Sequence, residues 1–159
     1  MRTMPETERE VIITRTVKAP RALVFEAWSD PVHLEQWYGP DGFVTKTISM
    51  DFRVGGTWKF TMTGPDGTVF PNLVVYKEIT PVERIVHDHG EWEDNVMFEA
   101  TITFVETDGG TLITMRSLFL TKEARDLVVE KFGAIEGGKQ TLARLDEYLR
   151  AHHDAPQHP

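Results

Sequence analysis

No cysteine occurs anywhere in the sequence, which excludes disulfides, thiolate nucleophiles and thiolate zinc sites. Long hydrophobic runs are missing as well. None nears the ~20 apolar residues that a membrane-spanning helix requires, and the first residues lack the apolar stretch of a signal peptide. The expectation is a soluble, cytoplasmic protein without a membrane span. Positive charge is scarce, with 17 Lys and Arg against 25 Asp and Glu and a formal net charge of -8. Such a surface repels a phosphate backbone, so nucleic acid is not expected as a partner. The chain also shows no nucleophile elbow and no Gly-rich phosphate loop, and it suggests no cofactor.

What is present is apolar and aromatic material. Hydrophobic residues make up 40% of the 159 positions, with 4 Trp, 3 Tyr and 9 Phe among them. That suffices for one domain burying ~70% of the surface of its unfolded form. Residues 1–159 are read as a single domain with an ordered core of about 9–151. Residues 1–8 and the polar tail from His152 are expected to fray.

Punctuation divides the chain into elements. The β-branched run Val11-Ile12-Ile13-Thr14-Arg15-Thr16-Val17 predicts a strand. Pro20 opens a helix with Ala22, Val24, Phe25 and Trp28 on its apolar face. Asp30-Pro31 is an N-cap followed by a first-turn proline, so a second short helix carries Leu34 and Trp37. Six further strands are predicted over about 43–51, 56–63, 69–79, 83–89, 95–107 and 111–119. The breaks between them are Gly55-Gly56, the hairpin turn Gly64-Pro65-Asp66-Gly67, Thr80-Pro81, Gly90 and Asp108-Gly109-Gly110. A helical stripe then runs from Ala124 to Leu149, with a break at Gly133. The connections between strands are short, so the sheet should be antiparallel. A long amphipathic helix must bury its stripe across the concave face of that sheet, which leaves a cavity wherever curvature outruns side-chain filling.

These residues resemble a known family. The order of elements is similar to the START-like, helix-grip superfamily, also called SRPBCC. Asp30-Pro31…Trp37-Tyr38-Gly39-Pro40, Asp51-x-Arg53-x-Gly55-Gly56-x-Trp58-x-Phe60, Pro65-Asp66-Gly67, Glu78-Ile79-x-Pro81-x-Glu83-Arg84-Ile85-Val86 and Leu142-x-x-Leu145-x-x-Tyr148-Leu149 resemble its branch named after the activator of the heat-shock-chaperone ATPase. The resemblance covers residues 11 to 150 and implies an α+β helix-grip fold, a seven-stranded curved antiparallel sheet wrapped around a long C-terminal helix. It also implies a range of functions, from carriers of hydrophobic ligands to polyketide cyclases and a co-chaperone domain. Where members of the branch often place a Trp after the glycine in the middle of the terminal helix, this chain has Glu136-Gly137-Gly138-Lys139. The glycines either let the helix approach the sheet closely or leave room for a ligand beneath it.

Candidate site residues follow from inward-facing positions. Trp58, Phe60 and Met62 alternate on one strand face. Tyr76 and Glu78 are expected to share a face, as are His87 and His89. An inward Tyr or His orients a polar group on an apolar ligand. With Trp37, Met115, Phe132 and Gly138 these residues (Glu78 apart) form the expected ligand-binding set. His87-Asp88-His89 lacks an identifiable third donor, so no metal is expected. His33, His87, His89 and Glu99 are not paired by spacing into a catalytic unit. Arg116 would anchor a carboxylate if it faced inward, or sit in solvent beside an acid if it faced out.

The leading reading is a non-catalytic binder or carrier of a small hydrophobic molecule. The alternatives are a chaperone-ATPase-interacting module and a cyclase- or hydrolase-type enzyme on polyketide-like substrates. Edge strands and an apolar helix flank also suit a homodimer.

Overall fold

The β-branched segment near the start forms strand β1 (Glu10–Val17), preceded by one 3-10 turn at Glu6–Glu8, in a computed structural model that describes residues 6–92 and 95–154. The expected fraying of residues 1–5 and 155–159 lies outside the described residues. Two short helices follow, α1 (Arg21–Ser29) and α2 (Pro31–Trp37). Asp30 caps α2, its carboxylate accepting from the Val32 N–H at 2.9 Å with Pro31 in the first turn. Six strands come next: β2 (Val44–Met50), β3 (Thr57–Thr63), β4 (Val69–Thr80), β5 (Arg84–Glu91), β6 (Asn95–Thr107) and β7 (Gly110–Phe119). The chain ends with helices α3 (Lys122–Phe132) and α4 (Ala134–Asp154), the latter continuing past His152.

All seven strands join one antiparallel sheet in the order β1-β7-β6-β5-β4-β3-β2. Strands β2 to β7 form a meander. The α1–α2 segment carries the chain from β1 at one edge to β2 at the other. The turn at Gly64–Gly67 closes the β3–β4 hairpin, the Gly67 N–H donating to the Gly64 carbonyl at 3.0 Å with Pro65 at the second position.

Two local readings change. Gly90 does not reverse the chain. It lies inside β5, at a register shift where the backbone of Asn95 comes so close that a Cβ would stand 1.8 Å from the Asn95 carbonyl oxygen. Glu78 does not share a face with Tyr76. The register of β4 against β5 shifts between Tyr76 and Glu78, and one extra residue inverts the alternation. Tyr76 stays buried, while Glu78 turns outward to pair with Arg84 and bond Thr80.

Arg116 is on the outer face as well, paired with Glu10. Glu99 likewise pairs outside with Lys77.

The core divides into two regions. Under α1 and α2 the aromatics interlock: Trp28 meets Trp37 with ring centroids 4.6 Å apart, Tyr38 meets Trp58 at 5.1 Å, and Trp58 stacks on Phe60 at 3.7 Å. Leu34, Trp37 and Phe60 have no exposed surface. On the other side α4 lies against β1. At Gly138 the approach is close enough that a Cβ would stand 2.8 Å from Ile13 Cγ1. Further along, the Arg15 guanidinium reaches the buried carboxylate of Asp146 at 3.0 Å.

Candidate functional site

Between these regions the interior is not filled. A cavity of about 320 Å³ lies under the junction of α3 and α4. The register places its floor. His87 pairs with Ala100 and Ala100 with Ser117; His89 pairs with Phe98, and Ile102 with Met115. Directly paired residues share a sheet face, so these side chains look into the same space. The roof is Val128 and Phe132 of α3 with Ala134, Gly137 and Gly138 of α4. Pro40 and Met62 close the side toward the aromatic cluster. No Asp, Glu, Lys or Arg is among the lining residues. A surface depression of comparable size, about 360 Å³, lies at the β6–β7 turn among Lys18, Arg21, Glu106 and Gly109. It is bordered by exposed charge and backbone, and nothing there converges on a ligand.

The junction above the cavity is set by Gly133. It ends α3 in the left-handed region at φ 62°, which a residue with a Cβ adopts at a cost. The chain turns there and starts α4, so the roof is a bend between two helices rather than one rod. None of the described residues of α3 is fully buried.

The polar content of the site is concentrated in the two histidines. Both are buried, and burial away from water disfavours their charged forms. His87 is pushed down to about 4 and His89 to about 3, the latter also by the proximity of His87. At neutral pH both rings are uncharged. His89 stacks on Phe98 at 4.8 Å, and its Nε2 lies 2.8 Å from Asn72 Oδ1. Among the described residues no cluster of three His, Asp or Glu is placed to hold a metal.

Of the ten expected ligand-binding residues, the structure brings Met62, His87, His89, Met115, Phe132 and Gly138 to the cavity wall. Trp37, Trp58, Phe60 and Tyr76 are in the packed core instead. Strand and helix periodicity identifies inward-facing residues but not which of those meet empty space. Burial also raises the Tyr76 hydroxyl above its ordinary value, as it does that of Tyr38 at the cavity edge.

The residues not anticipated fall into two kinds. Phe98, Ala100, Ile102 and Ser117 alternate with outward positions and were legible by the same period-two rule. Asn72 as the partner of His89 comes from cross-strand register and left no mark in the sequence. Nor did spacing reveal that His33 of α2 meets the Tyr148 hydroxyl of α4 at 2.6 Å, with Glu26 at 3.6 Å, outside the cavity.

Comparison with known proteins places this geometry. The family described as Activator of Hsp90 ATPase homolog 1-like protein matches residues 18–150. This chain belongs to that family. Among solved structures of similar proteins, one from Nitrosomonas europaea is 25% identical with a TM-score of 0.85, covering 95% of this chain and 100% of its own. One from Mycobacterium smegmatis is 27% identical with a TM-score of 0.85, covering 95% and 97%. An AHSA1-like protein from Aeromonas hydrophila shares the fold, at 19% identity and a TM-score of 0.69 over 94% and 98%. No curated protein matches the chain. The helix-grip architecture of the Activator of Hsp90 ATPase homolog 1-like family therefore spans essentially the whole described chain.

Proposed function

We propose that this protein binds a small, largely apolar molecule, without transforming it, in the cavity under the α3–α4 junction. The observation that carries the reading is a pocket of about 320 Å³, open at one side to solvent, whose lining holds no Asp, Glu, Lys or Arg. This volume falls at the small end of the ~300–1,000 Å³ typical of ligand sites. It is roughly twice the ~150 Å³ that admits benzene, so its natural fit is a compound of about two rings or an equivalent short chain.

The chemistry of the lining favours binding over catalysis. A general base works best with a pKa near the working pH. His87 and His89 lie near 4 and 3, too low to abstract a proton efficiently at neutral pH. Met62, Met115 and Phe132 offer polarisable and aromatic contacts, while the Trp58–Phe60 stack holds the neighbouring wall rigid.

Thermal unfolding in the presence of bicyclic aromatics, short-chain fatty acids and small polyketides tests the reading. A matching compound at about 100 times its Kd should raise Tm by roughly 5–10 °C. Ala100→Phe, which fills the floor, should abolish that rise while the variant stays folded. If no compound in the panel shifts the wild-type transition, the proposal is wrong.

A further inference from the structure

The histidines on the cavity floor have already committed their protons. Asn72 Nδ2 donates to the Phe70 carbonyl at 3.1 Å, which fixes Oδ1 as the Asn72 atom that faces His89 Nε2 at 2.8 Å. An amide oxygen only accepts, so the His89 proton is on Nε2 and its Nδ1 is a lone pair. The same logic holds next door. His87 Nδ1 lies 3.2 Å from the Asp88 carbonyl oxygen and donates to it, which leaves Nε2 as an acceptor.

His89 Nδ1 is the one buried side-chain nitrogen or oxygen among the described residues that has no hydrogen-bond partner. A buried acceptor without a donor is costly, and a ligand that supplies the donor recovers that cost on binding. A carboxylate brings only acceptors. Entering this cavity, it would shed its hydration and find no lysine or arginine in the lining.

We infer that the ligand is an apolar molecule of about two rings bearing a hydroxyl, which donates a hydrogen bond to His89 Nδ1. Carboxylate-headed molecules of the same size are discriminated against. This deepens the binding function proposed above and rests on it.

Calorimetric titration of the protein with 2-naphthol, 2-methoxynaphthalene and 2-naphthoate separates the two ideas. The methoxy compound keeps the shape and removes the donor; the naphthoate replaces the donor with a charge. 2-Naphthol should bind about tenfold tighter than either. In His89→Phe its advantage over 2-methoxynaphthalene should shrink to within about twofold. A second readout uses the unaltered protein. The ¹⁵N resonance of His89 Nδ1 should move upfield with 2-naphthol and stay in place with 2-methoxynaphthalene.

Equal affinities for 2-naphthol and 2-methoxynaphthalene, or an unmoved Nδ1 resonance despite tight 2-naphthol binding, would overturn the hydroxyl assignment and leave the cavity's binding role standing. Tighter binding of 2-naphthoate would do the same. Failure of all three compounds to bind would remove both.

Discussion

Gly137 and Gly138 are neighbours in one helix with opposite environments. A Cβ at Gly137 would meet Pro40 at 3.7 Å, an ordinary contact. Replacing a helical glycine by alanine gains about 1 kcal/mol, so Gly137→Ala should raise the urea midpoint. A Cβ at Gly138 would lie 2.8 Å from Cγ1 of buried Ile13, a methylene attached directly to the branched Cβ and held by its stiff χ1. Overpacking of that kind costs about 1–3 kcal/mol, so Gly138→Ala should lower the midpoint despite its better helix propensity. The glycine pair therefore serves close approach at one position and leaves the cavity roof thin at the other. The buried histidines make a second residue-scale prediction. In the unfolded chain both titrate near the ordinary value of 6.5, while in the fold they are held near 4 and 3. Below pH 6.5 the unfolded chain takes up protons that the folded form refuses. Stability should therefore fall as pH drops from about 6.5 toward 4, by on the order of 3 kcal/mol per ring, and be unaffected by these rings above 6.5. Urea unfolding of His89→Phe across that range should show a shallower acid limb than the wild type.

Among the elements, α3 is the weakly held one. It has a Thr121 cap, accepting from the Ala124 N–H at 3.0 Å, and a left-handed Gly133 at its end, but no fully buried residue. Local stability follows buried apolar contact, so residues 122–132 should exchange amide hydrogens faster than α4 and slow down when the cavity is occupied. Hydrogen-exchange mass spectrometry with and without a bound aromatic compound measures this directly. Gly133→Ala should speed exchange in α3, since it places a Cβ on a backbone at φ 62°. By contrast α4 is fixed to β1 by the Ile13 contact and by Asp146, whose buried carboxylate binds Arg15 and Arg150. Removing that carboxylate with Asp146→Ala should cost about 1–3 kcal/mol in unfolding free energy, through lost charge-assisted hydrogen bonds that helix propensity cannot replace.

Across the whole molecule, the interior divides into a solid aromatic half beneath α1 and α2 and a hollow half beneath α3 and α4. The aromatic residues that suggested a pocket are mostly in the solid half. Trp58 and Phe60 fill their space by stacking on each other, and Trp37 anchors its indole N–H on the Ala27 carbonyl at 3.2 Å. The hollow half is made by smaller residues, Ala100, Ser117, Ala134 and Gly137, at the points where larger ones would have met. Period-two and helical spacing correctly assigned these strands and helices, because alternation reports which way a side chain points. The same spacing failed at Glu78, where a single extra residue in β4 reverses the alternation without any glycine or proline to announce it.

The amino-acid sequence alone determined the order of elements, the antiparallel sheet, the turn at Gly64–Gly67 and the break at Gly133, since each depends on local backbone chemistry and short-range periodicity. It also put His87 and His89 on one inward face. Only the tertiary structure decided that those rings are neutral, that Asn72 accepts a hydrogen bond from one of them, and that empty space lies above them rather than above Trp58. Desolvation, cross-strand register and unfilled volume are properties of residues far apart in the chain, and they come into being only when the sheet closes on its helix.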